Sequence, residues 1–301
     1  MKQIGDYSIA AQVWALRHYG EAGPRTFRAL LATFGRLETI HDAHIDDLKT
    51  IEGLGDKRSK KIHEASKALE ESENFINSLT GRNIKFCTLF DKEFPALFME
   101  LNDPPPIIFY VGDIPKKNEK TVAIVGSRKA SEIGISLAVD LAAGLAEKSI
   151  SVISGLAKGI DTAGHIGALK GRGRTYAVLG AGFDNIYKSE SRTLAAEMIK
   201  NGGLISEYSP DAGYSAGGLM ARNRLIVGLS QAVIIGEVLP DSVGTLDTAT
   251  FCHQVGKIMF IMIDGCEAPG RDNSVVEKII AMGAIPFRLS DGVDIIVKSL
   301  V

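Results

Sequence analysis

The chain has 301 residues, 45% of them apolar and 23% charged, with a formal net charge of −2. This length suits one large and one small domain. The near-neutral balance excludes a uniformly basic, histone-like coat, so any site for a polyanion has to be a local patch. The first twenty residues, MKQIGDYSIAAQVWALRHYG, lack the basic lead, apolar run and cleavage site of a signal peptide. No apolar stretch reaches membrane-spanning length. Cys87, Cys252 and Cys266 are widely spaced, without a C-x-x-C pair. That usage fits reduced thiols, so the expectation is a cytoplasmic protein with no membrane partner.

Residues 1–80 read as a helical domain. Apolar residues recur at helical spacing in Ile9, Trp14 and Leu16 and again in Phe27, Leu30, Leu31 and Phe34, with Pro24 and Gly35 as punctuation. Residues 81–301 read as a second domain. It begins with short extended runs, Ile84–Phe86 and Ile107–Tyr110, on either side of a Pro104-Pro105-Pro106 stretch that excludes helix. A polar break at Pro115–Lys120 follows.

From Thr121 to about Ile296 strands and helices alternate. Strands are expected at Val122–Val125, Ser151–Ser154, Tyr176–Leu179, Leu204–Glu207, Ala232–Val238 and Lys257–Ile263. Helices are expected at Ser131–Lys148, Ile160–Lys170, Arg192–Asn201, Ala221–Leu229 and Gly244–Val255. The strands are short, β-branched and apolar on both faces, as buried parallel strands must be. The pattern predicts an α/β, doubly wound, mostly parallel sheet.

Five strand-to-helix turns carry the candidate chemistry. Gly126-Ser127-Arg128 follows the first of these strands, with Ser131 placed to cap the next helix. Exposed N–H groups and a helix N-terminus there would attract an anion, and Arg128 adds a planar cation suited to phosphate. The turn is neither G-x-G-x-x-G nor a Walker A loop, so its pattern licenses neither a dinucleotide nor a triphosphate. Alone, it reads most simply as a turn. Its weight comes from four similar segments: Ser154-Gly155 with Lys158, Gly180–Asp184, Ser206–Tyr208 and Ser242–Thr245. Arg222 and Arg224 sit at a helix start, where cations oppose the dipole and a bound anion would relieve them. Lys188 and Arg192 would extend the same basic rim.

At these residues the chain resembles the DprA/Smf family of DNA-processing proteins. The matching segments are VAIVGSRKAS (122–131), SGLAKGIDTAGHIGAL (154–169), YAVLGAGFDNIY (176–187), GGLISEY (202–208), ARNRLIVGLS (221–230) and GTLDTA (244–249), led by FDKEFPALFMELNDPPPIIFYVGD (90–113). The resemblance implies an extended Rossmann-like core, single-stranded DNA binding, loading of a RecA-type recombinase, and a homodimer. DNA recombination after natural transformation, in competent cells, is the usual setting of the family. The resemblance places DNA contacts at Arg128, Arg222 and Arg224, with Gly126, Ser127, Ser154 and Gly155 supplying backbone and hydroxyl groups and Arg192 further charge; Lys158 joins them from the reading of its own turn. Departures include Leu219-Met220 where the family often has Phe-Pro, and Asp264-Gly265 in place of Pro-Gly. The winged-helix domain that follows in some members is not expected after Val301.

In the first domain, Gly53-Leu54-Gly55 followed by Lys57, Arg58, Lys60 and Lys61 resembles a helix-hairpin-helix (SAM-like) motif. Such a hairpin offers N–H groups to one DNA phosphate, making Gly53, Gly55, Lys57 and Lys60 a possible second contact. A structural hairpin with a solvated lysine face is equally compatible with the pattern.

No catalytic residue, metal or cofactor is expected. Asp161 and His165 share a helix face at i,i+4 but lack a third ligand, which suits a capping carboxylate and a polar histidine. The enzyme alternative is a nucleotide or nucleoside-monophosphate hydrolase using Glu207 or Glu237 near Gly244-Thr245. A nucleotide-ligand sensor using the same crevice is the non-catalytic alternative. If bases stack on the site, Phe183, Tyr187 and Tyr208 are the candidate aromatics.

Overall fold

A computed structural model describes residues 2–186, 190–264, 266 and 272–300. The chain divides into two compact units, Met1–Phe109 and Tyr110–Val301.

The first unit begins with helices, among them Pro24–Phe34, Ile45–Lys49, Asp56–Glu64 and Leu69–Thr80. Pro24 occupies the first turn of its helix, where its missing N–H costs nothing. Gly35 ends that helix at φ 76°, a conformation in which a Cβ would be strained. Trp14 stacks on Phe75 at 4.7 Å and meets the edge of Phe109 at 5.2 Å. Phe109 lies on strand β2, Ile107–Gly112. That aromatic cluster is why the compact unit runs past the helices and past β1, Lys85–Thr88, instead of stopping at residue 80. Gly53, at φ 77°, turns the chain between Ile45–Lys49 and Asp56–Glu64. Leu54 is buried beneath the turn and Gly55 caps the second helix.

The second unit holds strands β3 (Thr121–Val125), β4 (Ser151–Ser154), β5 (Thr175–Leu179), β6 (Gly202–Ser206), β7 (Ala232–Ile235), β8 (Ile258–Met262) and β9 (Ile285–Phe287). Their order in the sheet is β6-β5-β4-β3-β7-β8-β9, and each adjacent pair is parallel. The chain winds outward from β3 through β4 and β5 to β6, then returns to the other side of β3 with β7. β3 and β7 therefore flank the point where the winding reverses. In open α/β sheets the crevice outside the strand ends at that reversal is where ligands bind.

The core strands are buried on both faces, Val122, Ile124, Val152, Ile234 and Phe260 being fully enclosed. Helices Glu132–Glu147 and Ile160–Lys170 pack closely on one face. Gly167 makes that approach possible, since a Cβ there would lie 2.2 Å from the Val139 carbonyl oxygen. The six expected strands are present, although the fourth, fifth and sixth end earlier, at Ser206, Ile235 and Met262. The expected helix Ala221–Leu229 is instead two, Ala216–Ala221 and Asn223–Gly228, with Arg222 at their junction. Beyond the six expected strands the sheet adds β9, with helices Ser274–Ala281 and Leu289–Ser299 on either side of it in the chain. Among the described residues no helix is long and apolar enough to cross a membrane.

Candidate functional site

The turn after β3 forms as its sequence suggests, but its N–H groups are used differently. Ser127 N–H donates to the Glu237 carbonyl at 2.8 Å, and Lys129 N–H donates to Ser127 Oγ at 3.1 Å. Ser131 caps helix Glu132–Glu147, accepting from Gly134 N–H at 3.0 Å. The Glu237 carboxylate accepts from both Ser131 N–H, at 2.6 Å, and Ser131 Oγ, at 2.9 Å. A carboxylate of the chain itself thus occupies the place at the helix N-terminus where a ligand anion was expected. Gly126 is required by crowding, for a Cβ there would lie 2.6 Å from Ile160 Cγ1.

The second turn is likewise committed inward. Ser154 Oγ donates to the Ile124 carbonyl at 2.6 Å, and Gly155 N–H donates to Asp161 Oδ2 at 3.1 Å. Gly180 and Gly182 admit the chain's own backbone: a Cβ at 180 would lie 2.8 Å from Leu219 Cα, and one at 182 would lie 2.2 Å from the Pro210 carbonyl oxygen. The glycine-rich turns were expected to let a ligand approach. They let the chain from Ser209 to Leu219 approach.

Arg222 is 4% exposed and threads over Gly155 toward the sheet. Its Nη1 donates to the Val178 carbonyl at 3.0 Å, and the buried Asp161 is its counter-charge. Burial pulls the guanidinium below its usual range, with Asp161 opposing that shift and the Arg128 charge adding to it. Burial holds the Asp161 carboxyl above its usual range, opposed by Arg222. His165, one turn on, is held down to about 3 by burial and by the Arg222 charge. Its Nδ1 lies 2.7 Å from Thr175 Oγ1, whose proton goes to the Val152 carbonyl, so His165 Nδ1 is the donor and Nε2 is bare. Asp161 and His165 are therefore a buried helix pair. Among the described residues no group of three or more His, Cys, Asp or Glu is placed to hold a metal.

Arg224 is also spent internally. Its Nη2 donates to Glu207 Oε2 at 2.5 Å, both side chains being nearly enclosed. Arg222 and Arg224 were expected to await an anion, and each already faces a carboxylate of the chain. With Glu207 in this pair and Glu237 capping a helix, both acids of the hydrolase alternative have structural partners.

What remains at the strand ends is a cleft of about 360 Å³ between the turns after β3 and β7, lined by Gly126, Ser127, Arg128, Met220, Val243 and Thr245 among others. A second chamber of about 400 Å³ adjoins it and shares Arg128, Lys129, Ala157, Leu219 and Arg222. Arg128 stands between the two. Its side chain is exposed, and among the described residues its guanidinium has neither ion pair nor hydrogen bond. The neighbouring lysines differ: Lys129 is paired with Asp241 at 2.6 Å and Lys158 with Glu190 at 2.7 Å, both at the surface. Leu156, behind the second chamber, is held at φ 55°, an uncommon conformation for a branched side chain.

Arg192 begins a helix and is exposed, away from the residues lining either chamber. Tyr187 and Lys188 lie outside the described residues. Phe183 is fully buried in the core and Tyr208 is half-buried. The aromatic at the chamber is Tyr214, 52% exposed, which the sequence reading missed. In the first unit, Lys57 and Lys60 are exposed and without ion pairs among the described residues, next to the Gly53–Gly55 turn. Arg58 reaches Thr26 Oγ1 at 2.6 Å and Lys61 pairs with Glu21.

A Rossmann-like wound sheet with a cleft at its winding reversal defines the class: a doubly wound α/β protein with an open crevice at its strand ends. The family model for DNA recombination-mediator protein A matches residues 85–295. The chain belongs to that family, the DprA/Smf family of DNA-processing proteins. It is 33% identical over 242 residues to protein Smf of Synechocystis, covering 79% of this chain and 60% of that protein. It is 34% identical over 187 residues to DprA of Streptococcus pneumoniae, covering 60% of this chain and 66% of that protein. The match thus spans under two thirds of each of these relatives. The solved DprA structure from S. pneumoniae superposes with a TM-score of 0.76 at 26% identity, covering 95% of this chain and 97% of that one. A DprA structure from Helicobacter pylori, described for its single-stranded DNA binding mode, gives 0.61 at 26% identity over 71% of this chain and 97% of that one.

Proposed function

We propose that this protein binds single-stranded DNA by its phosphates at the two-chambered cleft around Arg128, and acts without catalysis as a recombination mediator. The observation that carries this reading is Arg128 itself, an exposed guanidinium, unpaired among the described residues, between two chambers at the sheet's reversal point. A planar cation with all its donors available suits a phosphodiester. Two chambers on either side suit a chain that continues in both directions, more than a single compact nucleotide. The single-stranded DNA binding of the H. pylori relative supports the same ligand.

Lys129 and Lys158 add charge once their surface carboxylate partners yield, because exposed ion pairs are weak. Gly126, Ser127, Ser154, Gly155, Arg222 and Arg224 act as the frame that holds Arg128 in place. Arg192 adds only distant charge. Gly53, Gly55, Lys57 and Lys60 form a second, independent phosphate contact in the first unit. Delivery of the strand to a RecA-type recombinase, self-association as a dimer and a cytoplasmic setting complete the proposal by the family's example.

Fluorescence anisotropy with a labelled single-stranded oligonucleotide over a salt series tests it. Binding should weaken steadily with salt, as counterion release requires. Undetectable binding at low salt would sink the reading. Incubation with nucleoside monophosphates should release no free base.

A further inference from the structure

We propose that a third chamber, at the end of the sheet away from the cleft, is a phosphate-monoester site in which Lys116, Arg172 and Arg174 hold the terminal phosphate of a nucleotide-sized ligand. It stands independently of the DNA reading. The chamber measures about 510 Å³, within the range of small-molecule sites. It forms where the chain enters successive strands: Lys116, Asn118 and Glu119 precede β3, Ser149 precedes β4, Arg172 and Arg174 precede β5, and Asn201 precedes β6. The charged groups lining it are three cations and one carboxylate, Glu119.

That carboxylate is spent on the floor. It accepts from Ser151 Oγ at 2.6 Å, from the Tyr176 hydroxyl at 2.9 Å and from Lys116 N–H at 3.1 Å. Arg174 locks onto the same floor, its Nε donating to the Tyr176 oxygen at 2.7 Å and its Nη2 to Asp113 at 3.0 Å. Its Nη1 has no partner among the described residues. Lys116 and Arg172 are exposed, and among the described residues neither side chain has an ion pair or hydrogen bond. Asp113, 57% exposed, stands outside the lining. Two cations therefore remain after Glu119 balances Arg174. They match a phosphate monoester, which carries about −2 near neutral pH, better than a singly charged diester or carboxylate. The lining holds no aromatic ring, so recognition falls to charge and hydrogen bonds.

The backbone supplies a second, independent observation. Helix Ile160–Lys170 ends in a Schellman turn, with Arg172 N–H donating to the Leu169 carbonyl and Gly173 N–H to the Ala168 carbonyl. Arg172 takes the left-handed position of that turn, at φ 56°, where glycine is the usual residue. Glycine is used on both sides of it, where a Cβ would lie 2.4 Å from the Ala143 carbonyl oxygen or 2.5 Å from Ala146 Cβ. The strained position between them keeps a guanidinium and aims it at the chamber.

The test is equilibrium dialysis of radiolabelled thymidine 5′-monophosphate at fixed ionic strength. Wild type and Arg128→Ala, which removes the cation of the cleft, should bind it alike. Arg172→Gly and Lys116→Ala should each weaken it by about tenfold. Arg172→Gly should unfold at a urea concentration no lower than wild type, since it relieves the turn. Inorganic phosphate should displace the label and dimethyl phosphate should not. Displacement by an oligonucleotide bearing a 5′-phosphate, but not by its 5′-hydroxyl twin, would identify a strand end as the source; displacement by free nucleotides alone would identify the nucleotide pool. Loss of binding in Arg128→Ala, wild-type binding in both chamber variants, or equal displacement by dimethyl phosphate would overturn the site.

Discussion

Gly155 is what allows Arg222 to reach the sheet: a Cβ at position 155 would sit 1.3 Å from Arg222 Nη1. The guanidinium passes through the space a side chain would fill and comes to rest on the Val178 carbonyl, with the buried Asp161 as its counter-charge. The chemistry of this turn is therefore an internal fit, one layer behind the surface cation Arg128.

Gly155→Ala should push the guanidinium out and leave Asp161 buried without its counter-charge. Breaking such a pair from one side costs on the order of 3 kcal/mol. Urea denaturation should show a lower midpoint with little change in slope.

Arg128→Ala and Arg224→Ala should separate binding from stability. Arg128 is exposed and unpaired among the described residues, so its loss should leave the unfolding midpoint within about 0.5 kcal/mol of wild type. Its effect should appear in oligonucleotide affinity. Arg224→Ala strands the buried Glu207 carboxylate and should destabilise by about 3 kcal/mol or more. Paired denaturation and anisotropy measurements on the two variants check this.

Glu190→Gln and Asp241→Asn should tighten DNA binding. Each frees a lysine at the chamber rim, Lys158 or Lys129. Exposed pairs are weak and screened, so each gain should be no more than about fivefold at low salt. Unchanged affinity in both variants would show that these lysines do not meet the strand.

His165 makes stability depend on pH in a defined direction. Its folded pKa, about 3, lies below the unfolded value of 6.5. Between those values the unfolded chain binds a proton that the folded chain refuses, so this residue destabilises the fold as pH falls from about 6.5 toward 3. Asp161, held above its usual range, works in the opposite sense. The difference between wild type and His165→Asn therefore isolates the histidine. Thermal midpoints of the variant should fall less steeply between pH 7 and pH 5.

The sheet was legible because buried parallel strands must be short, β-branched runs followed by turns, and β3, β4, β5 and β8 are written that way. β9 escaped because Ile285-Pro286-Phe287 is three residues long and its first two are exposed. The place of the cleft was legible for the same reason: Gly126-Ser127-Arg128 must follow β3. The roles of its residues were not. Glu207 and Glu237 find Arg224 and Ser131 across distances of 17 and 106 residues, which no local pattern displays. Tyr214 follows a proline and a glycine in a stretch without periodicity, so nothing in the sequence separates it from the buried Phe183.

The most direct measurement is the salt dependence of single-stranded oligonucleotide affinity for wild type and Arg128→Ala. The logarithm of affinity should fall linearly with the logarithm of salt, and removing one phosphate contact should lessen that slope by about 0.7. The variant should bind several-fold more weakly at low salt and converge on wild type as salt rises. An Arg128→Ala protein with wild-type affinity and slope would contradict the central claim that this guanidinium holds the phosphate chain.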